Sequence, residues 1–217
     1  LSWLLKNLSK GDPLPKFETL GPALPSIEKL AYSQDPETLY NMLVTVENLT
    51  LMEEGSIDCV MEMECIPKII EFAMEEKPEY AQIRLPALKV IGNCISYDAD
   101  NDDDDEEDTK KTESIVFRLV NMKVIPCLMT NILSSNKKWR KDALFSVSNL
   151  LTCGHDIIHE FLKFPNFLDR LFEIVLSDLP DLRSEAMICL KNAAREMNYK
   201  QLAYLIDKDV IKITLEV

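Results

Sequence analysis

Asp142, Phe145 and Asn149 stand at i, i+3 and i+7, so on a helix they make a single stripe: a carboxylate, an aromatic ring and an amide. Glu185, Ile188 and Asn192 repeat the stripe 43 residues after it, and Trp3 with Asn7 supplies an indole and an amide one turn apart. An asparagine amide is both donor and acceptor, so it can bond the C=O and N–H of one peptide unit together. Such bonds hold a chain extended without reading its sequence, and the side chains beside them do the reading. The same amides also suit a structural ladder, because a buried amide can satisfy loose carbonyls near a helix end. The residue pattern leaves ladder and clamp both open.

Other chemistry is thinly represented. His155 and His159 lie one turn apart with Cys153 nearby, which begins a metal site, but no fourth ligand accompanies them. There is no glycine-rich phosphate loop and no nucleophile elbow. The reading is that this is not an enzyme and that it takes no cofactor and no metal.

The elements that position the stripes recur along the whole chain. "LSWLLKNLSKG", "NMLVTVENLTL", "PALKVIGNCIS", "DALFSVSNLLT" and "EAMICLKNAAR" are apolar helical segments sharing an asparagine register of Asn7, Asn48, Asn93, Asn149 and Asn192. The spacings are 41, 45, 56 and 43, and setting aside the fourteen residues 98–111 brings the third to 42. Pro25, Pro67 and Pro126 precede their asparagines by 23 to 26 residues, at the place where a helix's first turn tolerates proline. In the last full unit Asp169 takes the proline's place. Each unit therefore reads as a short helix, a second helix, a polar turn and a long helix. Three helices in about 42 residues is the armadillo unit. The expectation is one all-α, right-handed superhelical armadillo solenoid over 1–217. It comprises a partial repeat at 1–11, repeats at about 12–54, 55–97, 112–154 and 155–197, a partial repeat at 198–217, and an acidic insert loop at 98–111.

Composition agrees. The 217 residues are 47% hydrophobic, with 5 glycines against 11 prolines, which disfavours a turn-rich β fold. No apolar run is long enough to cross a membrane. The chain starts and stops inside apparent helices, and is read as a piece of a longer protein. Six cysteines sit in apolar helical registers with no CxxC pair, which suits buried, reduced thiols. The net charge of −13 argues against direct nucleic-acid binding and points towards basic partners. Residues 98–111 carry nine acids and two bases, so that stretch is expected to be a solvated loop.

These segments resemble importin-α, the adaptor for basic nuclear localisation signals. The resemblance rests on "LSWLLKNLSKG", "LPSIEKLAYSQDPE", "LPALKVIGNCIS", "KKWRKDALFSVSNLLTCG" and "RSEAMICLKNAA", and it points to the family's middle and later repeats. It implies a concave groove lined by the third helices. Tryptophans there wall slots for lysine stems, asparagines bind the ligand's main chain, and carboxylates one turn earlier take its ammonium groups. Carried over residue by residue, the tryptophan register holds Trp3, Val44, Lys89, Phe145 and Ile188, and the asparagine register is complete. The carboxylate register holds Asp142 and Glu185, but Asn41 and Pro86 in the two preceding repeats. The expected peptide-binding set is therefore Trp3, Asn7, Asn48, Lys89, Asn93, Asp142, Phe145, Asn149, Glu185, Ile188 and Asn192. The implied partners are basic nuclear-localisation-signal peptides of cargo proteins, and the implied location is cytoplasm and nucleus, by shuttling. Importin-β and an export receptor are implied only through family segments other than these repeats. A cation over indole gains roughly 0.5–2 kcal/mol, less over Phe and nothing comparable over Val or Ile. The eroded tryptophan register therefore also motivates a rival reading, an armadillo interaction scaffold that no longer reads nuclear signals.

Overall fold

A computed structural model describes residues 1–53, 55–101 and 114–215, and among these residues every regular element is a helix. The fold is an armadillo-repeat solenoid. The described chain divides into two compact units, one of residues 1–98 and 114–123, the other of 99–101 and 124–215. The sequence reading treats the chain as one domain, whereas this division falls after residue 98, at the acidic stretch, and after residue 123, within the expected repeat 112–154.

The first unit opens with α1 (Ser2–Leu8), a one-turn α2 (Phe17–Leu20), α3 (Leu24–Leu30) and the long α4 (Pro36–Leu49). The next repeat follows with α5 (Ser56–Met61), α6 (Ile66–Phe72) and α7 (Ala81–Asn101), and α8 (Ile115–Asn121) closes the unit. Pro25 and Pro67 stand in the first turn of α3 and α6. Asp35 starts α4, accepting from the Thr38 N–H at 2.8 Å, with Pro36 in the first turn. Gly55 holds φ +83 just before α5, a conformation that a side chain would strain. The core is aliphatic: Ile27, Met42, Leu43, Val46, Leu49, Val60, Ile83, Leu88 and Ile95 are all fully buried.

Helix α7 runs through Asp98 to Asn101, so the first residues of the expected insert are helical, and the remainder of that stretch, 102–111, lies outside the described residues. Asp98 is not a solvated loop residue. Its carboxylate accepts from the backbone N–H of Val116 at 2.9 Å and of Ile115 at 3.3 Å, and from the Ser114 hydroxyl. It thus caps α8 from another helix, where Ser114 makes no side-chain cap of its own. Asp98→Ala is expected to cost about 1 kcal/mol and to speed hydrogen exchange at Ile115–Leu119, with the amides of α3 and α4 unchanged.

The second unit contains α9 (Val124–Ile132), α10 (Lys137–Leu150), α11 (His155–Leu162), α12 (Phe167–Ser177), α13 (Pro180–Glu196), α14 (Tyr199–Asp207) and α15 (Val210–Leu215). Pro126 is the third residue of α9. Asn136 caps α10 and Asn198 makes a capping box with Gln201 on α14. Gly154, at φ +97, precedes α11 as Gly55 precedes α5. The stacked rings of Phe161 and Phe167, 4.9 Å between centroids, lie in a core with Leu144, Val147, Leu171, Val175 and Leu182. The third helices α10 and α13 pack on each other, and α11 and α12 also pack against α13.

The thiols divide by register. Cys65, Cys94, Cys127 and Cys189 are buried, Cys153 is half-buried, and Cys59 is exposed. Most of the thiols are thus out of solvent, as their apolar registers predict, and the exception is Cys59, which the helical twist of α5 turns outward beside Asp58. Burial pushes the thiols of Cys65 and Cys94 up to about 12, and that of Cys189 up further, with Glu185 adding to it. A thiol reagent at pH 8 should label Cys59 rapidly and leave those three unmodified until the protein unfolds, as mass spectrometry of the labelled peptides would read.

Candidate functional site

The asparagine register falls on the third helix of every repeat: α1, α4, α7, α10 and α13. Apolar packing fixes the opposite side of each helix, so the asparagines stand at its edge, half-buried at Asn48, Asn93, Asn149 and Asn192 and exposed at Asn7. In the first unit, Asn48 Nδ2 donates to Ser9 Oγ at 2.9 Å and Asn93 Nδ2 donates to Thr50 Oγ1 at 2.8 Å. Those hydroxyls donate onward to the carbonyls of Lys6 and Glu47, in the last turns of α1 and α4. In the second unit, Asn192 Nδ2 donates directly to the Ser148 carbonyl at 2.9 Å. A repeat-to-repeat ladder is therefore built, and it uses one amide N–H per rung. No described residue bonds the Oδ1 of Asn48, Asn93 or Asn192, so the acceptor half of each amide stays available. Asn7 differs, because its Nδ2 donates within its own helix, to Trp3 O at 2.7 Å.

The tryptophan register is laid out beside this ladder. Trp3 is 62% exposed, Phe145 44% and Ile188 42%, so three apolar surfaces face solvent beside the amides. Val44 is half-buried. Lys89 is exposed, and its Nζ lies 2.9 Å from Glu47 Oε1, so the cation in this register is engaged by a carboxylate of the preceding third helix. Glu47 was missed by the sequence reading, which searched one turn before the tryptophan register. Its signal was opposite charge one repeat length away, 42 residues from Lys89. The same rule recovers Lys141 with Asp181 at 3.6 Å and, with residues 98–111 set aside, Arg118 with Glu62 at 2.9 Å.

Carboxylates are placed unevenly. Asp142 and Glu185 are half-buried, one turn before Phe145 and Ile188. In the first unit that register holds Pro86, buried inside α7, and Asn41, 1% exposed, whose Nδ2 reaches Ser2 Oγ at 3.5 Å while its Oδ1 has no partner. Among the described residues, carboxylate, apolar wall and amide coincide on α10 and α13. From Ile188 an open hollow extends along α13, lined by Pro180, Arg183, Ser184 and Met187.

His155, His159 and Cys153 do not converge. The His155 carbonyl accepts from Gln201 Nε2 at 2.9 Å, and Cys153 Sγ lies 3.5 Å from the Asn149 carbonyl. Among the described residues no group of three His, Cys, Asp or Glu side chains is placed to hold a metal ion. No single described helix is long and apolar enough to cross a membrane.

No family profile matches the sequence. Several curated proteins do. It is 26% identical to importin subunit alpha-1a of Oryza sativa subsp. japonica over 75% of this chain and 28% of that protein. It is likewise 26% identical to importin subunit alpha-8 of Arabidopsis thaliana, over 97% of this chain and 44% of that protein. The chain spans less than half the length of these relatives. Among solved structures it resembles computationally designed armadillo repeat proteins for modular peptide recognition, with a TM-score of 0.78 and 13% identity over 98% of this chain and 82% of that one. A designed armadillo repeat protein in complex with the peptide (KR)4 gives a TM-score of 0.76 at 12% identity, over 98% and 81%. At these identities the structural likeness establishes the fold.

Proposed function

Because the chain is a divergent relative of the importin-α proteins, we propose that the third-helix edge of each unit holds a peptide in extended form and serves as a nuclear import adaptor for basic localisation signals. The observation that carries this reading is the asparagine register: Asn48, Asn93 and Asn192 each spend one N–H on the ladder and keep Oδ1 for a ligand's main-chain N–H. An extended chain rises about 3.3 Å per residue and packed helices lie about 8–10 Å apart, so neighbouring amides meet a ligand every two to three residues. Asp142 and Glu185 supply the attraction for basic side chains. Shuttling between cytoplasm and nucleus follows from the same reading. A scaffold for another class of partner is favoured by one observation, the Lys89–Glu47 pair, which fills a tryptophan position with the protein's own cation.

Among the described residues the Asn7 amide bonds only within α1, so in this chain its replacement tests the clamp without touching the rungs. Titrating a fluorescent (KR)4 peptide at two salt concentrations tests the proposal. Binding should weaken as salt rises, because screened carboxylates carry part of it. Asn7→Ala should lose roughly 0.5–1.5 kcal/mol of binding with an unchanged melting curve. Salt-independent binding, or an Asn7→Ala variant that binds like the wild type, would favour the scaffold.

A further inference from the structure

Resting on that reading, we propose that the second unit is specific for a basic peptide carrying a branched aliphatic residue, which seats against Phe145 and Ile188 while its basic neighbours meet Glu185 and Asp142. Phe145 and Ile188 lie on packed third helices, each one turn before the asparagine of the register, and each exposes more than two-fifths of its surface. Neither is a good wall for a cation. A phenyl face attracts an ammonium more weakly than an indole, and an isoleucine offers only hydrocarbon. The hollow continuing from Ile188 is lined by Met187 and Pro180, which add apolar surface, and by Arg183, whose positive charge disfavours a ligand ammonium there. A methyl-rich side chain gains from every one of these surfaces, and a lysine stem would desolvate beside a guanidinium. Charge complementarity still requires a basic flank, because the half-buried Glu185 stands one turn before Ile188 on α13. The protein's own Lys141 is drawn to Asp181, a turn before Glu185, so ligand cations are steered to Glu185 and Asp142 rather than to the start of α13.

The experiment is a leucine scan of the (KR)4 peptide against the full chain, each basic residue replaced in turn and affinity read by fluorescence anisotropy. One or two positions should bind at least fivefold more tightly with leucine than with the parent residue, and the others more weakly. The gain should vanish in the Phe145→Ser/Ile188→Ser double variant, whose changes are on the surface. It should reverse in Phe145→Trp/Ile188→Trp, where the parent peptide should bind best. Weakening at every position in the wild type, or a leucine gain that survives the serine variant, overturns the inference and leaves the adaptor reading standing. If no peptide of the set binds at all, both fall.

Discussion

Arg140→Ala should destabilise the second unit by about 3 kcal/mol, although Arg140 lies outside the peptide-binding set. Its Nη1 donates to the carbonyls of Ser134 and Ser135 at 2.9 Å, in the turn between α9 and α10. Its Nη2 meets Asp178 Oδ1 at 2.9 Å, in the turn that leads into α13. The two side chains are only 11% and 14% exposed, so truncating the arginine strands a carboxylate and two carbonyls. Removing one partner of a buried pair costs roughly 3–5 kcal/mol, and the residual exposure here places the loss at the low end. Burial alone would raise the Asp178 carboxyl. The hydrogen bonds from Arg140 and the Leu179 N–H, with the charges of Arg140 and Arg170, outweigh it and hold the group below its ordinary value of 3.8. A depressed carboxyl contributes stability above its unfolded value, and that contribution is lost as pH falls through the folded one. Asp178→Asn should therefore be clearly weaker than wild type in urea at pH 7, with the gap closing below about pH 4. A gap that stays constant down to pH 3 would show the pair contributes nothing by charge.

Phe161→Ala should cost about 4 kcal/mol, the larger of the two losses. The ring is fully buried and stacks on Phe167 with 28° between planes, so its removal forfeits transfer energy, leaves a cavity and breaks an aromatic pair. Although α11 and α12 pack against α13, which carries Glu185, Ile188 and Asn192, the lost ring lies in the core. Urea denaturation should show a lower midpoint, with the slope tested for loss of two-state behaviour. Peptide affinity measured well below that midpoint should be nearly unchanged, since none of the proposed binding residues is altered. A loss below about 1 kcal/mol would mean that the surrounding helices collapse into the space.

Much of this architecture was legible in the order of residues alone. A period near 42, prolines at helix starts and an apolar side on every segment left one economical solution, because a single repeat cannot bury its own apolar face and must stack. The same period placed Asn7, Asn48, Asn93, Asn149 and Asn192 on the third helix of each repeat. Tertiary structure decided what spacing cannot encode, namely where each polar atom finds its partner. Asn48 and Asn93 reach hydroxyls of the preceding repeat, Asn192 reaches a carbonyl, and Asn7 bonds within its own helix, though all four occupy one register. Lys89 reads as an isolated cation in sequence and is an ion pair in space, because Glu47 reaches it only when α4 and α7 are stacked. Asp98 reads as the start of an acidic run, but a continuous α7 carries its carboxylate to the open amides of α8. Periodicity reports which face a residue shares. Hydrogen bonds and ion pairs depend on distances of 3 Å between side chains tens of residues apart, which only the packed chain fixes.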